Sequence, residues 1–175
     1  MPSNTQQTRE DYLPDAVQVL FIGESPPAGG TFFYYANSNL YRATREAFAT
    51  GARTFRDKDF LRSFQHAGCY LEDLAVEPVN GLPRPSRKRV CKAGIAPLAD
   101  RIKALAPSVV VIVGYGIADH VARSLDLADH AEVEREKLPF PTSRPRSIDG
   151  VPYRQVYVDE LAALVARWRK RRILA

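Results

Sequence analysis

The segment VQVLFIGESPP, residues 17–27, places a carboxylate at the point where a short apolar run ends. The run is β-branched and stops at Gly23, so it predicts a buried strand with Glu24 at its carboxyl end. Two prolines stiffen the following turn, and Gly29 and Gly30 let the backbone approach a ligand closely. A carboxylate held in this way can orient a water molecule or stabilise a developing cation.

Four aromatic residues follow the turn: Phe32, Phe33, Tyr34 and Tyr35. Any one of these rings can be an ordinary core residue, but adjacent side chains cannot all face the same core. We therefore expect at least one ring to stack on a flat ligand beside Glu24. The segment has neither of the glycine spacings of phosphate-binding loops, and its serine does not lie in a G-x-S-x-G motif.

Strands and helices alternate along the rest of the chain, a pattern that favours an α/β fold. We predict three α/β/α layers with a central, mostly parallel four-stranded sheet. Residues 1–15 form a polar N-terminal arm in this interpretation, and residues 16–175 form a single domain. Strands are predicted at 17–23, 69–76, 108–114 and 151–158, and helices at 38–50, 57–67 (capped by Asp57), 86–105 (capped by Ser86, with a kink or break at Pro97), 116–126 and from Asp159 onward.

Ligands of such sheets bind at the carboxyl ends of the strands. The loops at 23–37, 77–85, 114–116 and 139–149 are therefore expected to form the functional site.

The net charge of +5 favours a polyanionic partner, although modest basicity can also serve solubility alone. Basic residues cluster at 84–89, 143–146 and 167–172; the last cluster is most simply the solvated end of a helix. Cys69 and Cys91 lack metal-ligand spacing and are read as buried reduced thiols. The absence of a signal-peptide pattern and of a long apolar run predicts a cytoplasmic protein without membrane contact.

The order of these motifs resembles the uracil-DNA glycosylase superfamily. Gly23-Glu24-Ser25-Pro26-Pro27 is similar to the Gly-Glu-Ala-Pro-Gly motif that ends the first strand in several members. The segments GGTFFYYANSNLYRATREAF, CYLEDLAVEPVNGLPRPS and PSVVVIVGYGIADHV resemble the regions that follow it, and the resemblance covers most of residues 17–165.

The resemblance implies a DNA repair enzyme that hydrolyses the N-glycosidic bond of a flipped base. Glu24 would position the attacking water and Arg144 would support the leaving base. No metal, iron–sulfur cluster or organic cofactor is implied, and DNA is the expected partner. The implied base-binding residues are Gly23, Ser25, Pro26, Phe32, Phe33, Asp73 and Ser143, and the implied contacts to the DNA backbone are Arg84, Arg87, Lys88 and Arg146.

Two departures from the family pattern predict weak or absent activity on uracil. Arg144-Pro145 lies where the family commonly has His-Pro, and Asp73 lies where an Asn is expected. An ionised Asp can only accept hydrogen bonds, whereas an Asn amide also donates one to a uracil carbonyl. Two alternatives stay open: a nucleic-acid-binding member that has lost catalysis, and a hydrolase or binding protein for small molecules or nucleotides.

Overall fold

The computed structural model describes residues 4–56 and 59–175 and is built on a four-stranded sheet in which every pairing is parallel. Its strands are β1 (Val19–Gly23), β2 (Cys69–Asp73), β3 (Val109–Val113) and β4 (Glu134–Leu138). Their order in the sheet is β2-β1-β3-β4. A separate two-stranded ribbon is formed by β5 (Ser147–Ile148) and β6 (Val151–Pro152). The predicted α/β/α fold class with a mostly parallel central sheet is confirmed.

Helices cover the sheet and contribute most of the remaining core. The α-helices are α1 (Asn4–Glu10), α2 (Asn39–Gly51), α3 (Phe60–His66), α4 (Arg84–Ala93), α5 (Ile95–Leu105), α6 (Ala118–Leu127) and α7 (Tyr153–Lys170). Helix α2 packs against α7, and α5 packs against α6. The ring of Phe21 contacts Phe48 of α2, Phe64 of α3 and Trp168 of α7.

Strands β1, β2 and β3 are buried along their whole length. The sequences of β1 and β3 are short apolar runs, as is usual for strands of a parallel sheet covered on both faces, whereas β2 ends in the buried acids Glu72 and Asp73. Gly23 lies beside Asp73 in the register, and Ile22 lies between Glu72 and Ile112. This register brings the loops that follow the three strands to one edge of the sheet.

The predicted strand at 151–158 is wrong. Only Val151 and Pro152 are extended, and α7 begins at Tyr153, so the predicted helix start at Asp159 is wrong as well. The apolar residues of this segment fit a helix equally well, because Leu161 lies one helical turn after Tyr157 and Val158 and all three residues are buried.

The fourth strand is instead β4, whose sequence EREKL carries alternating charges. Such charges are common on edge strands, where they discourage pairing with another chain. Glu134 is held by Arg171 through two hydrogen bonds of 2.8 Å, and Glu136 pairs with Arg167. The basic cluster at 167–172 therefore packs on the edge strand, near its amino end.

The predicted helix at 86–105 is two helices that meet at Gly94, not a helix kinked or broken at Pro97. A Cβ at Gly94 would lie 2.3 Å from the carbonyl oxygen of Leu74, so only glycine permits this approach. Pro97 lies in the first turn of α5, where proline is tolerated. Helix α4 begins at Arg84 after Pro83, two residues before the predicted cap Ser86.

The predicted helix at 57–67 corresponds to α3. Asp59 caps α3 by accepting a hydrogen bond from the backbone of Arg62, and the predicted cap Asp57 lies outside the described residues.

Residues predicted to be a polar arm include α1, whose Arg9 is 3% exposed. The division into an arm and a single domain stays a prediction. Across the described ranges, no helix has both the length and the apolarity needed to cross a membrane.

The contact at Gly94 generates a prediction about stability. Gly94→Ala should lower the free energy of unfolding by about 1–3 kcal/mol, because the new methyl group overpacks against the Leu74 backbone. Urea unfolding followed by circular dichroism measures the change. Gly29→Ala is the matched control, since nothing lies within 4 Å of its Cβ position. Equal stability of the two variants would contradict the packing argument.

Candidate functional site

A cleft of about 670 Å³ opens at the carboxyl ends of β1, β2 and β3. This volume lies within the range of small-molecule sites in proteins, about 300–1,000 Å³. Ten of the residues proposed from the sequence line it: Gly23, Glu24, Ser25, Pro26, Phe32, Phe33, Asp73, Arg87, Arg144 and Arg146. Ser143, Arg84 and Lys88 are exposed and are not among the residues that line the cleft.

Glu24 lies in the cleft, at the end of β1 as expected, and both of its carboxylate oxygens are engaged by Arg87. The Arg87 Nε donates to Oε1 at 2.8 Å, and its Nη2 donates to Oε2. The Glu24 side chain is 27% exposed and that of Arg87 is 47% exposed. Arg87, proposed from the sequence as a contact to the DNA backbone, therefore lies against the candidate catalytic carboxylate.

Backbone hydrogen bonds tie the turn after β1 to the chain after β2. The Leu74 and Ala75 N–H groups donate to the carbonyl oxygens of Gly23 and Glu24, both at 2.9 Å. The Ser25 hydroxyl accepts a hydrogen bond of 3.2 Å from the Val79 N–H. These bonds fix the position of the Glu24 backbone, and they give Ser25 a structural contact in addition to its place in the cleft.

The two candidate stacking rings have different neighbours. Phe33 packs against Phe64 of α3 and Tyr41 of α2, with centroid distances of 5.4 and 6.0 Å. Phe32 lies 5.2 Å from the ring of Tyr35, which is 36% exposed. Both rings line the cleft although they are almost fully buried, with Phe33 3% exposed and Phe32 2% exposed.

Tyr34, in contrast, is a core residue. Its hydroxyl accepts a 2.7 Å hydrogen bond from the Leu71 N–H and lies 3.2 Å from the Leu71 carbonyl oxygen. The aromatic segment is therefore anchored to β2 through Tyr34, with Phe32 and Phe33 held in the wall of the cleft.

Asp73 belongs to a buried network of charges at the end of β2. Its Oδ2 accepts a hydrogen bond of 2.5 Å from Arg9 Nη2, and Arg9 Nη1 donates to Glu72 Oε2 at 3.1 Å. Arg101 adds a 3.2 Å ion pair to Glu72 and a 2.6 Å hydrogen bond to the Asp73 carbonyl oxygen. The other carboxylate oxygen, Oδ1, would lie 2.6 Å from a Cβ at Gly23. Glycine at this position therefore allows Asp73 to reach the floor of the cleft.

The environment of Asp73 sets its charge. Burial raises its pKa to about 6, although the neighbouring Arg9 acts to lower it. Glu72 contributes in the same direction as burial, because it is a second negative charge beside the first. Asp73 is therefore mainly a carboxylate at neutral pH, and it becomes a neutral acid that can donate a hydrogen bond below about pH 6.

Arg144 and Arg146 line the side of the cleft formed by the loop between β4 and β5. The Arg146 N–H donates to the Arg144 carbonyl oxygen at 2.7 Å, which makes the loop turn tightly. Neither guanidinium group has an ion-pair partner within residues 4–56 and 59–175. Two uncompensated cations therefore face the cleft.

Fold and site together define a class of α/β/α protein whose cleft is lined by a partly exposed carboxylate, two aromatic rings and a buried carboxylate. The family model of the uracil-DNA glycosylase superfamily matches residues 10–166. The chain belongs to this superfamily, as the sequence motifs predicted. No curated protein matches the chain significantly.

Three functional contacts could not be found from the sequence. Arg9 and Arg87 are each separated from their carboxylate partners by more than 60 positions, and Arg101 lies on a helix with no motif. Arg9 also precedes the residues that the family model matches. In the part of the chain that the structure describes, no three His, Cys, Asp or Glu side chains are grouped to hold a metal ion.

The raised pKa of Asp73 generates a prediction about stability and pH. An unfolded chain releases this proton near the ordinary pKa of 3.8, whereas the folded protein keeps it until about pH 6. The free energy of unfolding should therefore fall on the order of 2 kcal/mol, relative to Asp73→Asn, as the pH rises from 4 to 7. Urea unfolding of both proteins across this range measures the difference. Parallel curves for the two proteins would contradict the assigned charge state.

Proposed function

We propose that this protein is a DNA glycosylase that hydrolyses the N-glycosidic bond of an altered base flipped into the cleft. The observation that carries the proposal is the shared cleft of Glu24, Phe32, Asp73 and Arg144. These four side chains supply the groups that the reaction requires: a carboxylate, a stacking ring, an acceptor for the base edge and a cation for the leaving group.

In the proposed reaction, the flipped base stacks on Phe32 or Phe33 and donates an N–H hydrogen bond to Asp73. Glu24 orients a water molecule and accepts one of its protons, as the water oxygen bonds to the sugar carbon C1′ and the bond from C1′ to the base nitrogen breaks. The electron pair of the broken bond goes to the base, which leaves as an anion. Arg144 is always charged and would donate to the oxygen that gains this charge; such donors contribute about 3–4 kcal/mol in other enzymes.

The DNA backbone would cross the basic rim of the cleft. Arg146 supplies one unpaired cation there, and Arg84 and Lys88 are exposed on the first turns of α4. The N-terminus of this helix adds a partial positive charge that favours phosphate. We propose a cytoplasmic location for this repair activity.

The proposal predicts weak or absent release of uracil. With Asp73 ionised, the base edge is read by an acceptor alone, and Arg144 lies where the family commonly has a His. Losing a donor from a base-reading pocket can reduce discrimination by about 10⁴ or more. Single-turnover excision on single- and double-stranded DNA containing uracil, hypoxanthine or another altered base measures the preference, with Glu24→Ala as the control. Robust uracil release that disappears in Glu24→Ala would show that the predicted specificity is wrong.

A second candidate function is nucleic-acid binding without catalysis. It is favoured by the contact of Arg87 with both oxygens of Glu24, because a guanidinium bound in this way competes with a water molecule for the carboxylate. Catalysis requires Arg87 to release at least one oxygen, and a DNA phosphate is a chemically suitable competitor for it. Release of no base from any substrate, with DNA binding intact, would favour this second function.

Both functions predict DNA binding that weakens steeply with salt, since cations on the rim displace counterions from the phosphates. The double variant Arg144→Ala/Arg146→Ala should bind more weakly and lower the slope of log K against log salt by about 1 per lost phosphate contact. Fluorescence anisotropy with a labelled oligonucleotide between 25 and ~300 mM salt measures this slope.

Arg171→Ala is the matched control for this binding experiment. It also removes an arginine, but one that is paired with Glu134 near the amino end of β4, away from the cleft. Its slope should equal that of the unaltered protein. Failure of the unaltered protein to bind at the lowest salt concentration would count against both functions.

A further inference from the structure

We propose that Arg9 is a positioning residue of the cleft, which holds Asp73 as a carboxylate with Oδ1 at the cleft floor and thereby selects a ligand that presents an N–H donor. The identification of that ligand as a nucleobase rests on the proposed function. The role of Arg9 toward Asp73 does not, because it follows from the contacts of the protein alone.

The first step of the argument is the set of Arg9 contacts. One guanidinium nitrogen binds Asp73 Oδ2 at 2.5 Å and another binds Glu72 Oε2 at 3.1 Å. The guanidinium carbon lies 5.5 Å from the centroid of the Phe32 ring. The Arg9 side chain is 4% exposed, so these contacts are shielded from water. A single side chain from α1 therefore touches two residues that line the cleft, Asp73 and Phe32.

The second step is the charge that surrounds Asp73. Arg9 faces it from α1, Glu72 from β2 and Arg101 from α5. Arg101 reaches the Asp73 carbonyl oxygen and the Glu72 carboxylate, so Arg9 is the cation bound to the Asp73 carboxylate among the described residues.

Neighbouring groups do not replace this cation. Tyr34 and Tyr70 border the network, and burial raises the pKa of both hydroxyls, so both stay neutral. Glu24, in the same cleft, is already engaged by Arg87. Without Arg9, Glu72 would keep its ion pair with Arg101, but the adjacent buried Asp73 carboxylate would have no cation bound to it among the described residues.

The third step concerns which oxygen of Asp73 a ligand can reach and whether that oxygen accepts or donates a hydrogen bond. Arg9 occupies Oδ2, which leaves Oδ1 beside Gly23 as the atom that a ligand can approach. An ionised carboxylate oxygen accepts hydrogen bonds only, whereas a protonated Asp would donate one. Loss of Arg9 would favour the protonated form and convert the floor of the cleft from an acceptor to a donor.

A purely structural role explains the network less well. Burying ion pairs is expensive, and replacement by apolar residues is often neutral or stabilising. The Arg9 Nε is buried and has no hydrogen-bond partner in the described part of the chain, so its burial is incompletely compensated. An apolar residue could anchor α1 at lower cost, but it could not keep Asp73 ionised.

The experiment follows the Asp73 carboxyl carbon directly by ¹³C NMR, with the resonance assigned through Asp73→Asn. In Arg9→Met, the midpoint of the Asp73 titration should rise by about one pH unit or more, as expected when an opposite charge at hydrogen-bond distance is lost. Arg101→Met is the matched control, because it removes a cation of the same network that does not bind this carboxylate; its shift should be smaller. An unchanged midpoint in Arg9→Met would overturn the proposal.

A folding defect in Arg9→Met is resolved by a second variant. Arg9→Met/Asp73→Asn removes the cation together with the carboxylate that it neutralises. If the defect arises from an uncompensated Asp73, the double variant should recover most of the stability lost in Arg9→Met. If the double variant is as unstable as the single variant, Arg9 acts through other contacts and the proposal is wrong.

The ligand class is tested with free bases at millimolar concentration. 9-Methylhypoxanthine, which carries an N–H at ring position 1, should shift the Asp73 resonance, and 1,9-dimethylhypoxanthine, which has no ring N–H, should not. No shift with the first base, or an equal shift with the second, would overturn the acceptor assignment. These measurements need no catalysis, so a titration that moves as expected while no DNA base is released would refute the proposed function and leave the role of Arg9 intact.

Discussion

The buried pairing of Arg9 with Glu72 and Asp73 is the interaction on which the arrangement of this protein depends. Successive side chains of a strand point to opposite faces of the sheet, so one residue rarely contacts two neighbours on the same strand. Arg9 does so because it approaches the end of β2, with hydrogen bonds of 3.1 and 2.5 Å to the two carboxylates. Each buried charge costs several kcal/mol to desolvate, and only pairing of this quality offsets that cost. The N-terminal helix is consequently part of the wall behind the cleft.

Two glycines allow the end of β2 to pack closely against its neighbours and so shape the cleft. Gly23 leaves room for Asp73 Oδ1, and Gly94 leaves room for the carbonyl oxygen of Leu74, the next residue along the chain. The approach at Gly94 separates α4 from α5, and α4 carries Arg87 to Glu24. The position of the candidate catalytic carboxylate and that of the candidate base reader are therefore set by the same few residues at the end of β2.

The parts of this arrangement that sequence could predict are those determined by local pattern. β1 and β3 are apolar runs ended by glycine, because a strand buried on both faces must be apolar throughout, and the loops that follow them were predicted to meet. β4 was missed because an edge strand paired to arginines on α7 can be almost entirely charged. The segment 151–158 was wrongly predicted as a strand, because so short a pattern of apolar and polar residues fits both the two-residue repeat of a strand and the 3.6-residue repeat of a helix.

Sequence could predict which residues line the candidate site, but not which arginine forms an ion pair with which acid. Glu24 and Phe32 come after β1 and Asp73 is the last residue of β2, so their convergence follows from the parallel topology. Their partners Arg9 and Arg87 come from helices 63 or 64 positions away, and nothing local distinguishes them from the other arginines. Which arginine neutralises which acid is decided by tertiary packing alone.

These pairings determine the electrostatic character of the cleft. Each of its two acids is held by its own guanidinium, Glu24 by Arg87 and Asp73 by Arg9. Arg144 and Arg146 line the same cleft without such a partner among the residues described, so the positive charge there exceeds the negative. The excess suits the approach of a phosphate backbone and the departure of an anionic base alike. Under the proposed function, Arg144 would be the donor to the leaving base at the position where the family commonly has His-Pro, and its guanidinium keeps its charge at every physiological pH.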